Sequence, residues 1–271
     1  MLNQMKYFDY KNNRLLFFNQ EATPQYWDKH WEDDNFKKIV RNGKRNKIIL
    51  TETKKYLGQP KGQKILEGGC GRGQFVYALN ELGYDVYGVD YAKNTVEKTN
   101  DLFPELKVSF GDVKSLDFPN DFLDAYWSLG VIEHFFDGYD EIISEMARVL
   151  KKNGFLFITF PYLSPLRKLK AKLKIYPDFE NSNCDIEKFY QFALDAKQVE
   201  TRLKNFGFQL IAKKNRSGVK GLKDEIKFLS PALQKIYNSD NLFLKVLGFS
   251  ISKIFSPFAG HSILLIFKKI K

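Results

Sequence analysis

Cysteine is almost missing from this 271-residue chain: Cys70 and Cys184 are its only two. Two are too few for the disulfide framework of a small secreted domain or for a cysteine metal centre. That usage suits a reducing cytosol, so a cytoplasmic location is expected. No uninterrupted apolar run reaches the ~20 residues that a membrane span requires. The most apolar stretch, residues 242–255, is broken by Lys245 and Lys253. Residues 1–19 mix Lys6, Lys11 and Arg14 with aromatics and lack an apolar core and a small-residue cleavage site, so no signal peptide is read there. Internal repeats, low-complexity tracts and Pro/Gly linkers are also lacking, which leaves one domain with insertions.

What is present is ordinary for a globular protein, 44% apolar and 28% charged, except for a generous aromatic share with 25 Phe and 14 Tyr. The net charge of +11 creates an attractive field for anionic partners, whether nucleic acid, phosphorylated metabolites or acidic lipids. Charge by itself does not choose among them.

Residues 35–57 carry apolar positions at helical spacing and stop at Gly58-Gln59-Pro60. From residue 64 a rhythm begins: a strand at 64–67, a glycine-rich loop at 68–73, a helix at 74–82, a strand at 85–89, a helix at 92–102 and a strand at 107–110. Two more strands, 122–128 and 154–160, flank a helix at 139–150. Strands alternating with helices of this length predict βαβ units, hence an α/β fold with a mostly parallel sheet. A helix near 193–205 and strands at 208–212 and 262–267 complete the pattern. The implied layout is an N-terminal helical cap (1–59), a cofactor-binding core (60–160), a basic lid (161–192) and a C-terminal part (193–271) with a helical insertion at 216–259.

Gly69, Gly71 and Gly73 sit between a strand and a helix, where backbone N–H groups can approach a ligand that a Cβ would block. Without a ligand, the same cluster is a tight turn. Its Gly-x-Gly-x-Gly spacing differs from the dinucleotide fingerprint, and Glu67 at the loop entrance would repel a pyrophosphate but suits a cationic amino group. Asp90, followed by Tyr91, closes the second strand where a carboxylate can accept from ribose hydroxyls. Asp112, followed by Val113, ends the third strand where a carboxylate can accept from an exocyclic amine, although Gly-Asp is also a common turn.

Together, Ile65-Leu66-Glu67-Gly68-Gly69-Cys70-Gly71-Arg72-Gly73, Tyr87-Gly88-Val89-Asp90, Gly111-Asp112-Val113 and Ser128-Leu129-Gly130-Val131-Ile132-Glu133-His134 resemble the ordered motifs of class I S-adenosylmethionine-dependent methyltransferases. The resemblance covers roughly residues 60–215. It implies a Rossmann-like sheet of seven strands in the order 3-2-1-4-5-7-6 with strand 7 antiparallel, and S-adenosyl-L-methionine as cofactor. It also implies that Ser128 and Leu129 line the methionine end through backbone groups. The Glu-His pair after strand four is most similar to small-molecule and lipid-type members such as quinone methyltransferases. The Asn-Pro-Pro-Tyr signature of amide and adenine N-methylating members is missing.

His134, just past strand four, has a pKa range suited to taking a proton from a hydroxyl or phenol, or it caps the helix and orients substrate. Glu133 beside it is the second candidate catalytic residue; no further His or carboxylate cluster gives metal-ligand spacing, so no metal is expected. Tyr126, Trp127, Phe135 and Phe136 either stack on an aromatic acceptor or form ordinary core. Tyr26, Trp27, His30 and Trp31 read as a helical flap over the cofactor, as packing, or as both.

Residues 165–176 place Leu166, Leu169 and Leu173 at helical spacing among five basic side chains, and residues 242–255 add a second apolar segment. Both suit an interfacial role, at an anionic membrane or in a homodimer, and equally a soluble cap. The expected activity is methyl transfer to an O, N or C atom of a small molecule, glycan or lipid-linked intermediate, in the cytoplasm or peripherally at the inner membrane face. RNA binding or RNA methylation is the alternative that the net charge motivates, and a non-catalytic binding module is the third. The basic residues are spread over insertions and form no RNA module.

Overall fold

The computed structural model describes residues 5–18 and 22–271. A hairpin of β1 (Met5–Asp9) and β2 (Arg14–Phe18) is followed by helices α1 (Pro24–Trp31), α2 (Phe36–Asn42) and α3 (Lys47–Leu57). Next come β3 (Lys64–Gly68), α4 (Gln74–Asn80), β4 (Asp85–Asp90), α5 (Lys93–Leu102), β5 (Lys107–Phe110), β6 (Leu123–Leu129), α6 (Asp140–Val149) and β7 (Leu150–Pro161). The remainder is α7 (Pro165–Lys172), β8 (Phe189–Ala193), α8 (Ala196–Asn205), β9 (Phe208–Arg216), α9 (Gly218–Glu225), α10 (Ser230–Asn238), α11 (Leu242–Ala259) and β10 (Ser262–Lys269).

The main sheet has seven strands in the order β5-β4-β3-β6-β7-β10-β9, mostly parallel with one antiparallel strand. Numbered along the sheet-forming chain, this is 3-2-1-4-5-7-6, as the motif resemblance implies. β3 pairs in parallel with β4 and with β6, and β4 with β5. Ile65 and Leu66 of β3, Val86 and Val89 of β4, and Ala125 and Trp127 of β6 are buried, as expected for parallel strands covered on both faces.

The chain divides into two compact units, one of residues 1–21, 159–202 and 212–265, the other of 22–158, 203–211 and 266–271. The sequence predicts one domain with two insertions. In the structure those insertions and the N-terminal hairpin build cores of their own. One cluster joins Phe8, Leu15 and Phe17 to Leu163, Ala171 and Tyr176; another joins Leu166 to Val219, Leu222, Leu233 and Ala259.

Three local expectations change. The N-terminal helical cap begins with strands, because Leu15 to Phe18 are buried on successive positions and β2 pairs antiparallel with both β1 and β8. The single helix expected over 35–57 breaks after Asn42, where Asn46 leaves helical geometry and its side chain accepts from the Ile49 N–H to start α3. The helix expected from residue 193 starts at Ala196, since Asp195 caps it through the N–H groups of Lys197 and Gln198 and leaves 189–193 free to pair as β8.

Candidate active site

The strands β5, β4, β3 and β6 end side by side, and the loops that leave them line a cleft together with α1. Gly69 after β3, Asp90 and Tyr91 after β4, Asp112 and Val113 after β5, and Leu129 and His134 after β6 all line it. Ligands collect at the carboxyl ends of such strands because the loops there converge while the sheet holds their stems rigid.

The glycine loop is a tight turn in which Gly69, Gly71 and Gly73 have φ of +75°, +52° and +70°, conformations costly for any side chain. Only Gly69 lines the cleft. At Gly71 a Cβ would fall 2.8 Å from the Trp31 ring, and Gly73 caps α4, so these two glycines serve the packing of α1 and the start of a helix.

Asp90 organises the loop. It is 4% exposed, and its carboxylate accepts from the Gly71 N–H at 2.7 Å and the Ala92 N–H at 2.9 Å. Burial raises its pKa from the ordinary carboxylate range, with these N–H groups pulling the other way. Asp112 accepts from the Lys114 N–H at 2.9 Å and faces the same cleft.

Aromatic rings line the same cleft. Trp27 and Trp31 of α1 stack at 5.9 Å, and His134 meets Trp27 edge-on at 5.0 Å. α1 is tied down by side chains from the loops: Arg72 Nε donates to the Trp31 carbonyl at 2.6 Å, Thr95 donates twice to Asp28, and Tyr91 Oη donates to the Ala22 carbonyl at 2.8 Å. Both Trp27 and Trp31 thus act as cleft wall and as packing. Phe135 lines the cleft as well, whereas Tyr126 and Trp127 are core, Trp127 stacking on Phe157 at 4.2 Å. Lys114, with its ammonium 4.9 Å from the Phe135 ring, is a wall residue that no sequence motif singled out.

Glu67, Glu133 and Ser128 lie behind the lining. Glu67 is 2% exposed, and burial first, then the Asp90 charge, lifts its pKa well above the ordinary value, with one opposing hydrogen bond from the Val76 N–H. Glu133 is equally buried and pushed up to about 8, and its Oε1 would sit 3.3 Å from a Cβ on Gly130. Glu67 Oε2, Ser128 Oγ and Glu133 Oε2 have no hydrogen-bond partner among the described residues. Glu133 therefore packs beneath the loop that carries His134 and does not face the cleft.

Strand order, glycine turn and cleft position define a Rossmann-like cofactor-binding domain of class I type. Residues 66–158 match the family described as "Methyltransferase domain". A "Probable S-adenosylmethionine-dependent methyltransferase" of Mycolicibacterium smegmatis is 30% identical over 100 residues, 37% of this chain and 38% of that protein. The demethylmenaquinone methyltransferase of Bacillus licheniformis is 29% identical over 118 residues, 41% of this chain and 50% of that one. The structure of a Haloferax volcanii putative methyltransferase in complex with the Trm112 activator shares the fold with a TM-score of 0.57 and 15% identity, covering 93% of this chain and 100% of that one. The matches span about a third to a half of the curated relatives' length. Residues 66–158 are a class I S-adenosylmethionine-dependent methyltransferase domain.

Proposed function

We propose that this chain transfers the methyl group of S-adenosylmethionine to an O, N or C atom of a small, flat or apolar acceptor, of which a quinone-like or lipid-linked molecule is the favoured kind. The observation that carries this reading is one cleft lined by two kinds of side chain. Carboxylates of Asp90 and Asp112 stand at the ends of β4 and β5, and the rings of Trp27, Trp31, Phe135 and His134 line the same cleft.

The donor set fits the cofactor. Asp90 would accept from ribose hydroxyls, Asp112 and the Val113 backbone would take the adenine edge, and Gly69, Ser128 and Leu129 would take the methionine end. Just behind the lining, the Glu67 carboxyl and Ser128 hydroxyl each have an oxygen with no partner among the described residues, polar groups that a bound zwitterion would satisfy. When bound, the cofactor supplies a methyl group already activated on sulfonium, so the protein's task is approach and orientation.

His134 would then hold or remove the proton of the acceptor hydroxyl, amine or carbon acid, and the indoles would orient a planar ring by stacking. Glu133, protonated at neutral pH, supports the turn that presents His134 and stays out of the chemistry. The demethylmenaquinone methyltransferase likeness supports a quinone-like acceptor.

Calorimetric titration with S-adenosylmethionine should show binding to the wild type. Labelled cofactor incubated with lysate fractions should place label in the organic extract. Label confined to aqueous protein or RNA would overturn the acceptor class, and absence of cofactor binding would overturn the reading as a whole.

A further inference from the structure

α11 is built inside out. It spans 18 residues, about 27 Å at 1.5 Å per residue, and is long and apolar enough by length and composition to cross a membrane, yet little of it is buried. A helix of a water-soluble fold turns its large apolar side chains toward the core and its small or polar ones outward. Here Leu242, Val246 and Phe249 share one stripe by their spacing of four and three, and Phe243, Leu247, Ile254 and Phe258 share the next; all are exposed, Phe243 at 74% and Phe249 at 70%.

The opposite face carries Gly248, Ser252, Ser256 and Ala259, small residues at a spacing of three or four, with Ile251 the partly buried apolar residue beside them. It packs closely on α9 and α10. A Cβ on Gly218 would fall 2.7 Å from the Ser252 carbonyl, one on Gly221 would fall 1.7 Å from that of Ala259, and one on Gly248 would fall 2.9 Å from Ile236. The Gly218 N–H donates to both Ser252 Oγ and Ser256 Oγ. Small residues between helices and large apolar residues outside is the packing expected where the surroundings are hydrocarbon.

Charge narrows the occupant. Residues 216–259 carry seven basic against three acidic side chains, and the chain as a whole is +11. Of the acidic ones, Glu225 is buried and Asp240 is paired with Lys245. Lys245 and Lys253 lie on α11 itself, and Lys227 beside the 82%-exposed Phe228 is exposed too. α7, packed in the same core cluster through Leu166, repeats the pattern with exposed Leu169 and Leu173 next to exposed Lys168 and Lys172. A second copy of this chain would bring like charge to like charge, whereas an anionic lipid surface complements both the lysines and the apolar face.

We infer that α11, with the end of α7, is a membrane-docking surface that lies in the headgroup region of an anionic bilayer. α11 does not cross the bilayer, since its C-terminal half is held along α9 by the contacts at Gly218 and Gly221. Phe243, Val246 and Phe249, which lie on one side of the helix, reach the acyl boundary, while Lys245 and Lys253 meet lipid phosphates.

The test is sedimentation of the full chain with vesicles of phosphatidylcholine alone or with one-third phosphatidylglycerol. Binding should require the anionic lipid and weaken with salt. Phe243→Ser with Phe249→Ser should lower partitioning about tenfold or more, and Lys245→Gln with Lys253→Gln about fivefold per lysine. S-adenosylmethionine affinity, measured without vesicles, reports folding of the variants and tests the methyl-transfer reading separately. Equal sedimentation of wild type and Phe variants, or no binding to either vesicle, would overturn the proposal. So would a concentration-dependent dimer that the Phe variants abolish, which would make a second copy the occupant.

Discussion

Two groups of buried carboxyls in this molecule meet opposite fates. Glu225 is 1% exposed, yet it accepts from Arg167 at 3.0 Å, Lys6 at 2.9 Å, Lys170 at 2.7 Å and Tyr176 at 2.6 Å. Burial alone would raise its pKa, but Arg167, Lys6, Lys170 and the Tyr176 hydroxyl hold it well below the usual range. Glu67 and Glu133 are buried too, each with an oxygen that has no partner among the described residues, and burial raises the pKa of both, that of Glu133 to about 8. Asp90 is intermediate, buried but held by backbone N–H groups and open to the cleft. A saturated carboxylate fastens a fold, because removing it strands the cations around it. One with an oxygen to spare, as Glu133 has beneath the loop of His134, is driven toward its neutral form and holds nothing by charge.

The largest effect that would break this comparison is expected at Glu225. Glu225→Ala leaves Arg167 buried without its counter-charge and should cost about 3–5 kcal/mol in urea denaturation. Because the folded pKa is depressed, the wild-type contribution is complete above the unfolded value near ~4.3 and fades as pH falls below it. The stability gap between wild type and variant should therefore close on acidification; a gap that widens would make Glu225 a neutral packing residue.

Next in size, Asp90→Ala removes two hydrogen bonds of the glycine turn and the proposed ribose acceptor. It should weaken S-adenosylmethionine binding roughly 10- to 100-fold by calorimetry, from about 1.5–3 kcal/mol per charged hydrogen bond. Unchanged affinity would remove Asp90 from the site.

His134→Asn is expected to lower kcat about 100-fold while leaving cofactor affinity alone, the split that separates proton handling from binding. Loss of affinity instead, with kcat intact, would make His134 a wall of the cofactor cleft.

The smallest effect belongs to Glu133→Gln at about pH 3, where the wild-type carboxyl is protonated in the folded and the unfolded chain alike. With a folded pKa of about 8, wild-type stability is full below the unfolded value near ~4.3 and declines as pH rises toward 8. The Gln variant should thus gain relative stability, at most a few kcal/mol, between pH 5 and 8. A flat difference would mean that Glu133 is solvated or partnered in solution.

Much of the core was legible from residues 64–161, because short strands and helices of ten or so residues alternate there and the loops between them need glycine and aspartate at fixed places. Gly69, Asp90, Tyr91, Asp112, Val113, Leu129 and His134 line one cleft, as their positions after strands predict. Glu67 and Glu133 were legible as acidic residues but not as buried ones. Burial depends on what α4 and the turn at Gly130 place over them.

The sequence by itself determined the alternation of strands and helices and the tight glycine turn, since both follow from local periodicity and from turns that only certain residues tolerate, while the strand order was implied by the motif resemblance. Tertiary structure alone decided the rest. It set Trp31 against Gly71, gathered Lys6, Arg167, Lys170 and Tyr176 on Glu225, and left α11 with its large side chains outward. Each of these depends on contacts between residues distant in the chain, and sequence spacing is silent about which side of a helix its neighbours will choose.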